Sequence, residues 1–565
     1  MKDQDLAGIM PTFRDLYPQY GAIGERYIEK ELSKMYLRDC LLILYKLSRH
    51  YYKYCQKSFS GGDGQKIYRE RCFELLHPNV IKILLETETQ VEQGYKMIFP
   101  ELSVVHLIKL CLKYCNNSDW TKEESFPKET LHGIGKLLLV TNSVLADWQI
   151  KRTGGKNSLE EIVTNFSKQI IVDHNFDEHQ KLYQAYFIFK IILHEHSTEL
   201  DIDTIFKEKY GVGVQDYFAF CFLLYSHFVI KNTSTEDWDL PHLDQTALKN
   251  VKPKFIQKLL EDLIMNSANY RKIDLSFFNA VDIVKTPLVR LPDGKIIPLS
   301  LRRLYIRLTE SVYFDVLDHL DSRKKKTFSE VFGDAAEKYF RDIINHIDPK
   351  QISPFEYGKG KKQTPDAISV QSKEGIIFFE CKKKQFHTLE FLQIGDWQMF
   401  LSRIKDFYFV PLQQICKRIK DFRHKEFNLP NVSNDVQVYP VVVCPIAPPI
   451  FSGAWDKLNL NQYVLPDYYK EDSSVKSPEF MDFAELESVE ECLRVRPSMK
   501  FLDLVELKRS DNVHHNANWM VILMKNGFAF RNKRLFDKYV KETEGFADLL
   551  FDTADNRPRN LSILS

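Results

Sequence analysis

The 565-residue chain predicts a multidomain α+β protein, with a large all-α N-terminal region, an α/β core of order αβββαβ about a mixed central sheet, and helical additions at the C-terminus. Three observations predict it. Apolar residues recur at helical spacing through most of the first half, β-prone runs gather in the second, and a chain of this length exceeds what one compact core holds.

Composition narrows the class. The chain is 44% hydrophobic and 27% charged with 22 Gly and 23 Pro, which describes a folded protein and excludes a largely disordered one. The net charge of +1 means that any affinity for a polyanion must come from local clusters of Lys and Arg. The ten cysteines form no CxxC pair. The closest two, Cys111 and Cys115, lie in an apolar helical pattern without His or Cys partners at zinc spacing, so free thiols in a reducing cytosol are expected. The longest apolar run, Phe218–Ile230, is interrupted by Ser226 and His227 and is too short to span a bilayer, and the segment Met1–Asp5 is polar. A cytoplasmic protein with no membrane partner is expected.

The region 1–280 reads as one helical domain. Helical spacing appears in Tyr27–Tyr54, Val104–Tyr114, Leu131–Trp148, Leu182–Leu193 and Tyr217–Phe228, separated by polar loops such as Ser58–Gly64 and Thr153–Ser158, with no fixed-period repeat. Residues 281–326 form a connector: Pro287–Pro298 carries two short β-prone runs about Pro292-Asp293-Gly294, a hairpin, and a helix to about Leu320 leads to the basic run Arg323–Lys326.

From 327 to 565 the grammar is α/β, with a core at about 327–445 and an extension over 446–565. A helix opening at Thr327 buries Phe328, Val331, Phe332, Ala335, Ala336, Tyr339, Phe340, Ile343 and Ile344 and ends at Asp348-Pro349. Three β-prone runs follow, Gln351–Tyr357, Asp366–Val370 and Ile376–Lys382, then a helical region broken at Pro411, then the strand Val436–Cys444. Phe501–Lys508 also contains Glu-x-Lys, but no Pro-Asp precedes it at hairpin distance and its spacing fits a packing helix.

Strand geometry sends alternate side chains to opposite faces, so Glu380 and Lys382 share one face and Phe379 and Cys381 the other. If the turn Gln371–Gly375 pairs Val370 with Ile376, counting outward sets Asp366 opposite Glu380, with Cβ atoms roughly 5 Å apart. A slip of one residue would separate them. Two carboxylates opposed in this way suit a hard cation, which takes oxygen ligands, lowers the pKa of a water and offsets phosphate charge; Lys382 would orient or deprotonate that water. A third acid is expected from the upstream helix, where Glu337 leads and Glu330, seven residues earlier on the same edge, is the rival.

Gly333–Glu337, Pro365-Asp366 and Glu380-Cys381-Lys382 together resemble the PD-(D/E)XK, or restriction-endonuclease-like, nuclease superfamily, over about Thr327 to Cys444. The resemblance implies a restriction-endonuclease-like core and a Mg²⁺-dependent nuclease, with Mn²⁺ as a substitute. Asp366, Glu380, Glu337 and the main-chain carbonyl of Cys381 would hold the metal, and Lys382 would be the catalytic lysine. A Gln of the following helix matches Gln414, with Gln413 the adjacent alternative. The hairpin and helix from Leu288 to Tyr313 look like those preceding this core in some large nucleases of bacterial phage defence. The implied partner is nucleic acid, DNA foremost, while a homo-oligomer and a protein trigger both stay open.

Lys361, Lys362, Lys383 and Lys384 near the hairpin, and Lys417 and Arg418 on the later helix, are candidate phosphate contacts, although basic faces also serve solubility. The segments Gly133–Leu137 and Gly61–Lys66 lack the P-loop pattern, so no nucleotide cofactor is expected. His194-Glu195-His196 places its two His on different helix faces, and His514-His515 sits in a polar run; neither marks a metal site. The competing reading is a catalytically silent nuclease-like fold that binds nucleic acid or acts as a scaffold.

Overall fold

The computed structural model describes residues 11–16, 24–55, 63–88, 98–116, 126–152, 178–230, 240–244, 254–276, 279–372, 375–385, 390, 396–446, 472–511, 518–529 and 531–550. The expected turn residues Lys373 and Glu374, the loops at 58–62 and 153–158, and the His514-His515 pair lie outside these.

The first half is helical, as its spacing requires. The helices that matter below are α1 (Leu37–His50), α2 (Glu101–Tyr114), α3 (Lys128–Arg152), α4 (Glu178–Glu195) and α5 (Val214–Tyr225). The pattern over Tyr27–Tyr54 is interrupted: a helix ends at Leu32, and α1 begins after Tyr36, which bridges to Asn116. The segment Gly133–Leu137 lies within α3, and His194-Glu195-His196 ends α4, where His196 meets Glu199 at 3.2 Å. Among the described residues no helix is long and apolar enough to cross a membrane.

The connector hairpin forms as expected, with β1 (Leu288–Arg290) antiparallel to β2 (Lys295–Pro298) and Gly294 at φ 84°, a left-handed conformation that suits glycine. The two-residue strand Leu243–Asp244 adds to β2, a pairing that its polar, Pro-flanked sequence does not signal.

The second half is α+β around a four-stranded mixed sheet. Its long helix α6 (Ser322–Ile347) starts before Thr327, because the Asp321 side chain accepts from the backbone N–H groups of Arg323 and Lys324 and so draws the basic run into the first turn. All nine expected stripe residues are buried. Strand β3 (Ala367–Val370) pairs antiparallel with β4 (Gly375–Cys381), β4 pairs parallel with β5 (Gln437–Cys444), and β5 pairs parallel with β6 (Glu479–Asp482). The run Gln351–Tyr357 is not a full strand: Ile352 makes one bridge to Ile368, and Glu356–Tyr357 pairs only with Lys362–Gln363. Pro354 in its middle has no N–H to give a ladder. Between β4 and β5 run α7 (Trp397–Ile404), a π-helical turn Lys405–Phe409, and α8 (Val410–Arg423). Pro411 stands in the first turn of α8, where its missing N–H costs least, so the helical path continues through it and does not break.

Helices cover both faces of the sheet. Phe379 points toward Phe340 of α6 (centroids 6.1 Å apart) and stacks on Phe501 of α9 (Phe501–Ser510), while Phe378 meets Phe422 of α8 at 5.9 Å. The residues Phe501–Lys508 are therefore helical, as their spacing requires. The start of α9 also holds Gln371, just after β3, since Lys500 Nζ donates to the Gln371 carbonyl at 2.6 Å. The α6-side core runs without a break into the helical half, where Phe189 of α4 lies against Phe328 and Phe332 of α6.

Candidate active site

The hairpin register decides the site. Val370 pairs with Ile376, Ser369 with Ile377, Ile368 with Phe378 and Ala367 with Phe379. One step further along the same register, Asp366 stands opposite Glu380. The Asp366 carboxylate Oδ2 accepts a 2.7 Å hydrogen bond from the Cys381 backbone N–H, which closes the open end of the hairpin.

Glu337 joins these two from α6. Its side chain is 12% exposed, and its charge raises the pKa of both Asp366 and Glu380. Glu330 is excluded from the group: its side chain is 65% exposed and it faces Lys326 at 3.9 Å on its own helix.

Burial and mutual repulsion dominate the electrostatics. Burial pushes the Asp366 carboxyl up to about 6, the Cys381 N–H pulls it back, and the Glu337 charge pushes it up again. The Glu380 carboxyl is held well above the ordinary range, first by burial and then by Asp366, while the Arg418 guanidinium opposes the rise. Three partly buried carboxylates, two of them pushed up by burial and by their neighbours' charges, form a donor set that a hard divalent cation would relieve.

The basic residues divide differently from the expectation. Lys382, expected beside the carboxylates, sets its ammonium 3.2 Å from Asp406 in the π-helical turn; its N–H donates to the Val443 carbonyl at 2.7 Å, prolonging the β4–β5 ladder. Asp406 has no signal in the sequence, because 24 residues separate it from Lys382 and no local pattern links them. Lys383, expected to face phosphate, instead reaches Glu337 at 2.5 Å and Asp334 at 2.9 Å, and those partners hold its ammonium far into the protonated range. Arg341 also pairs with Glu337.

Gly333 explains the Gly-x-x-x-Glu spacing in this chain. A Cβ there would stand 3.0 Å from Lys383 Cβ and 3.3 Å from its Cδ, so the bare helix surface lets the Lys383 stem cross to Glu337 one turn later.

Of the candidate phosphate contacts, Arg418 and Lys383 both act on Glu380, Arg418 the more strongly; the Arg418 Nη1 lies 3.5 Å from the Tyr357 hydroxyl. Lys362 is drawn away to Asp421 (3.2 Å) and Glu426 (2.8 Å). Lys384 is exposed and faces Asp406 at 3.6 Å, and Lys361 and Lys417 are exposed. Gln413 and Gln414 are both exposed on α8, and Gln414 lies one turn before Arg418, on the same side of the helix. The Cys381 thiol is buried and its pKa is raised, so Cys381 offers the site its main chain and not its sulfur.

The acidic set is wider than a closed metal cage. Among the described residues, the three donors whose ligand atoms all lie within 4.8 Å of one another are Cys40, Cys111 and Cys115 in the helical half. Comparison with family models, with curated proteins and with solved structures returns no match to this chain.

Proposed function

We propose that the chain is a Mg²⁺-dependent nuclease of the PD-(D/E)XK type, with Mn²⁺ able to replace Mg²⁺, acting on nucleic acid and on DNA foremost. The observation that carries this reading is the register that sets Asp366 opposite Glu380, with the charge of Glu337 acting on both. The sheet also supports a restriction-endonuclease-like core: an antiparallel hairpin bears the acids, and after a helical crossing a parallel strand lies beside β4.

Asp366, Glu380, Glu337 and the Cys381 carbonyl would hold the cation. When bound, the cation supplies a lowered water pKa and charge neutralisation at the phosphate. The chain's own groups do the rest. Arg418 presents a guanidinium that can pair with a phosphate oxygen once Glu380 is otherwise compensated. Lys383 holds Glu337 in place from across Gly333. The catalytic-lysine role belongs to Lys382 if its ammonium leaves Asp406 when a phosphate arrives.

Plasmid DNA, single-stranded DNA and RNA incubated with the full chain and Mg²⁺ or Mn²⁺ test this reading. Metal-dependent cleavage that Asp366→Asn and Glu380→Gln abolish is expected. If no substrate is cut and neither metal raises the melting temperature, the reading fails. The Lys382–Asp406 pair favours a second reading, a silent nuclease-like fold that binds nucleic acid. Under that reading nucleic-acid binding persists without any metal response.

A further inference from the structure

We propose that Cys40, Cys111 and Cys115 form a three-thiolate site for a thiophilic d¹⁰ cation, Zn²⁺ first, at the junction of α1 and α2. Cys111 and Cys115 stand one turn apart on the same side of α2 and its C-cap, and Cys40 comes from the first turn of α1. Their sulfur atoms all lie within 4.8 Å of one another, and the Cys115 and Cys40 sulfurs are 3.7 Å apart. With Zn–S bonds of about 2.3 Å, the edge of a tetrahedral site spans about 3.8 Å, whereas a disulfide needs about 2.05 Å. The Cys115–Cys40 spacing matches the metal edge, and the other two pairs lie no more than about 1 Å beyond it.

Buried thiols are often no more than small apolar groups, and Cys40 and Cys111, both fully buried, fit that description by themselves. Cys115 does not. It is only partly buried, at the solvent edge of the other two. That edge leaves room for a fourth ligand from solvent, the pattern of a three-coordinate protein site with an open position. The backbone holds the junction rigidly on either side: Leu37 N–H donates to the Asn116 carbonyl and Asn116 N–H to the Met35 carbonyl, each at 3.0 Å. Binding releases the three thiol protons to solvent and ties α1 to α2. Arg38, two residues before Cys40, lies 3.4 Å from Asp293 in the connector hairpin, so the site would brace the contact of the helical half with that hairpin.

The test uses the full chain, fully reduced, stripped with a chelator and titrated with Co²⁺. About one thiolate-bound Co²⁺ per chain is expected, counted from the sulfur-to-cobalt charge-transfer band, which comes with the intense visible bands of a tetrahedral site and is lost when Zn²⁺ displaces it. Cys115→Ser, at the partly exposed position, should keep the wild-type circular dichroism and lose most of the charge-transfer intensity. Asp366→Asn should leave the cobalt bands unchanged. If reduced wild-type protein shows no charge-transfer band, or the band keeps its full intensity in Cys115→Ser, the site does not exist. As a readout independent of that variant, Zn²⁺ should slow alkylation of Cys115 in the wild-type chain; an unchanged rate also overturns the proposal.

Discussion

Replacing Asp366 by Asn should make the metal-free protein more stable, not less. The Asp366 carboxyl titrates at about 6 in the fold against an ordinary 3.8. Each pH unit between the folded and unfolded pKa is worth about 1.4 kcal/mol, so keeping Asp366 ionised above pH 6 costs the fold about 3 kcal/mol relative to the unfolded chain. The sign follows from the direction of the displacement. A carboxyl whose folded pKa is raised contributes most below its unfolded value, and that contribution is lost as pH rises through about 6. Asn keeps the oxygen that accepts from the Cys381 N–H and removes the charge, so the penalty goes while the hydrogen bond remains.

If the chain unfolds cooperatively, about 3 kcal/mol corresponds to a rise of about 2–3 °C in Tm at pH 7.5. Differential scanning fluorimetry from pH 5 to 8 reads this directly. Wild-type Tm should climb as pH falls from 7.5 through 6, and Asp366→Asn should remain flatter and higher at pH 7.5. Mg²⁺ at a hundredfold excess over its Kd should add about 2.7 kcal/mol to the wild type at pH 7.5 and nothing to the variant, and that gain should shrink as pH falls through 6 and a proton competes for Asp366, to about half by pH 5. A variant that melts lower than the wild type at pH 7.5, or that responds equally to Mg²⁺, would refute the reasoning.

Further substitutions separate the roles of neighbouring residues. Lys382→Met should reduce cleavage at least about tenfold if Lys382 leaves Asp406 for the substrate, with little change in Tm; wild-type rates would show that Lys382 is not the catalytic lysine. Gly333→Val should push Lys383 off Glu337 and lower the metal response, whereas a variant with the wild-type Mg²⁺ response would show that the close approach at Gly333 has no role there. Lys508 and Glu479, paired at 2.5 Å with both side chains buried, join α9 to β6, so Lys508→Met should cost about 3–5 kcal/mol by stranding the carboxylate, and adding Glu479→Met should recover much of it; a double variant as unstable as the single would contradict this. Arg418→Ala should weaken nucleic-acid binding and reduce its salt dependence, read by titration at several salt concentrations.

The legible parts of this protein are those in which one periodicity decides everything. The stripe from Phe328 to Ile344 could face only one core, and the apolar run Ile376–Phe379, buried on both faces, could only be an interior strand; with that strand placed, the turn length fixed Asp366 opposite Glu380. What stayed hidden depends on pairs far apart in sequence. Glu479–Asp482 is a strand because β5 offers it an edge, not because four residues announce one, and Asp406 captures Lys382 because a π-helical turn brings it there. The same reason explains the cysteines. Cys111 and Cys115 show their one-turn spacing in the sequence, but Cys40 joins them only because α1 packs beside α2, so their failure to match a local zinc pattern says nothing about metal once a third thiol arrives from another helix. Local spacing can therefore support a site when both partners lie on one hairpin, as with Asp366 and Glu380. It cannot exclude a site whose partners are assembled by packing, and that is why the stripped, reduced chain is the material on which the thiol trio must be tried.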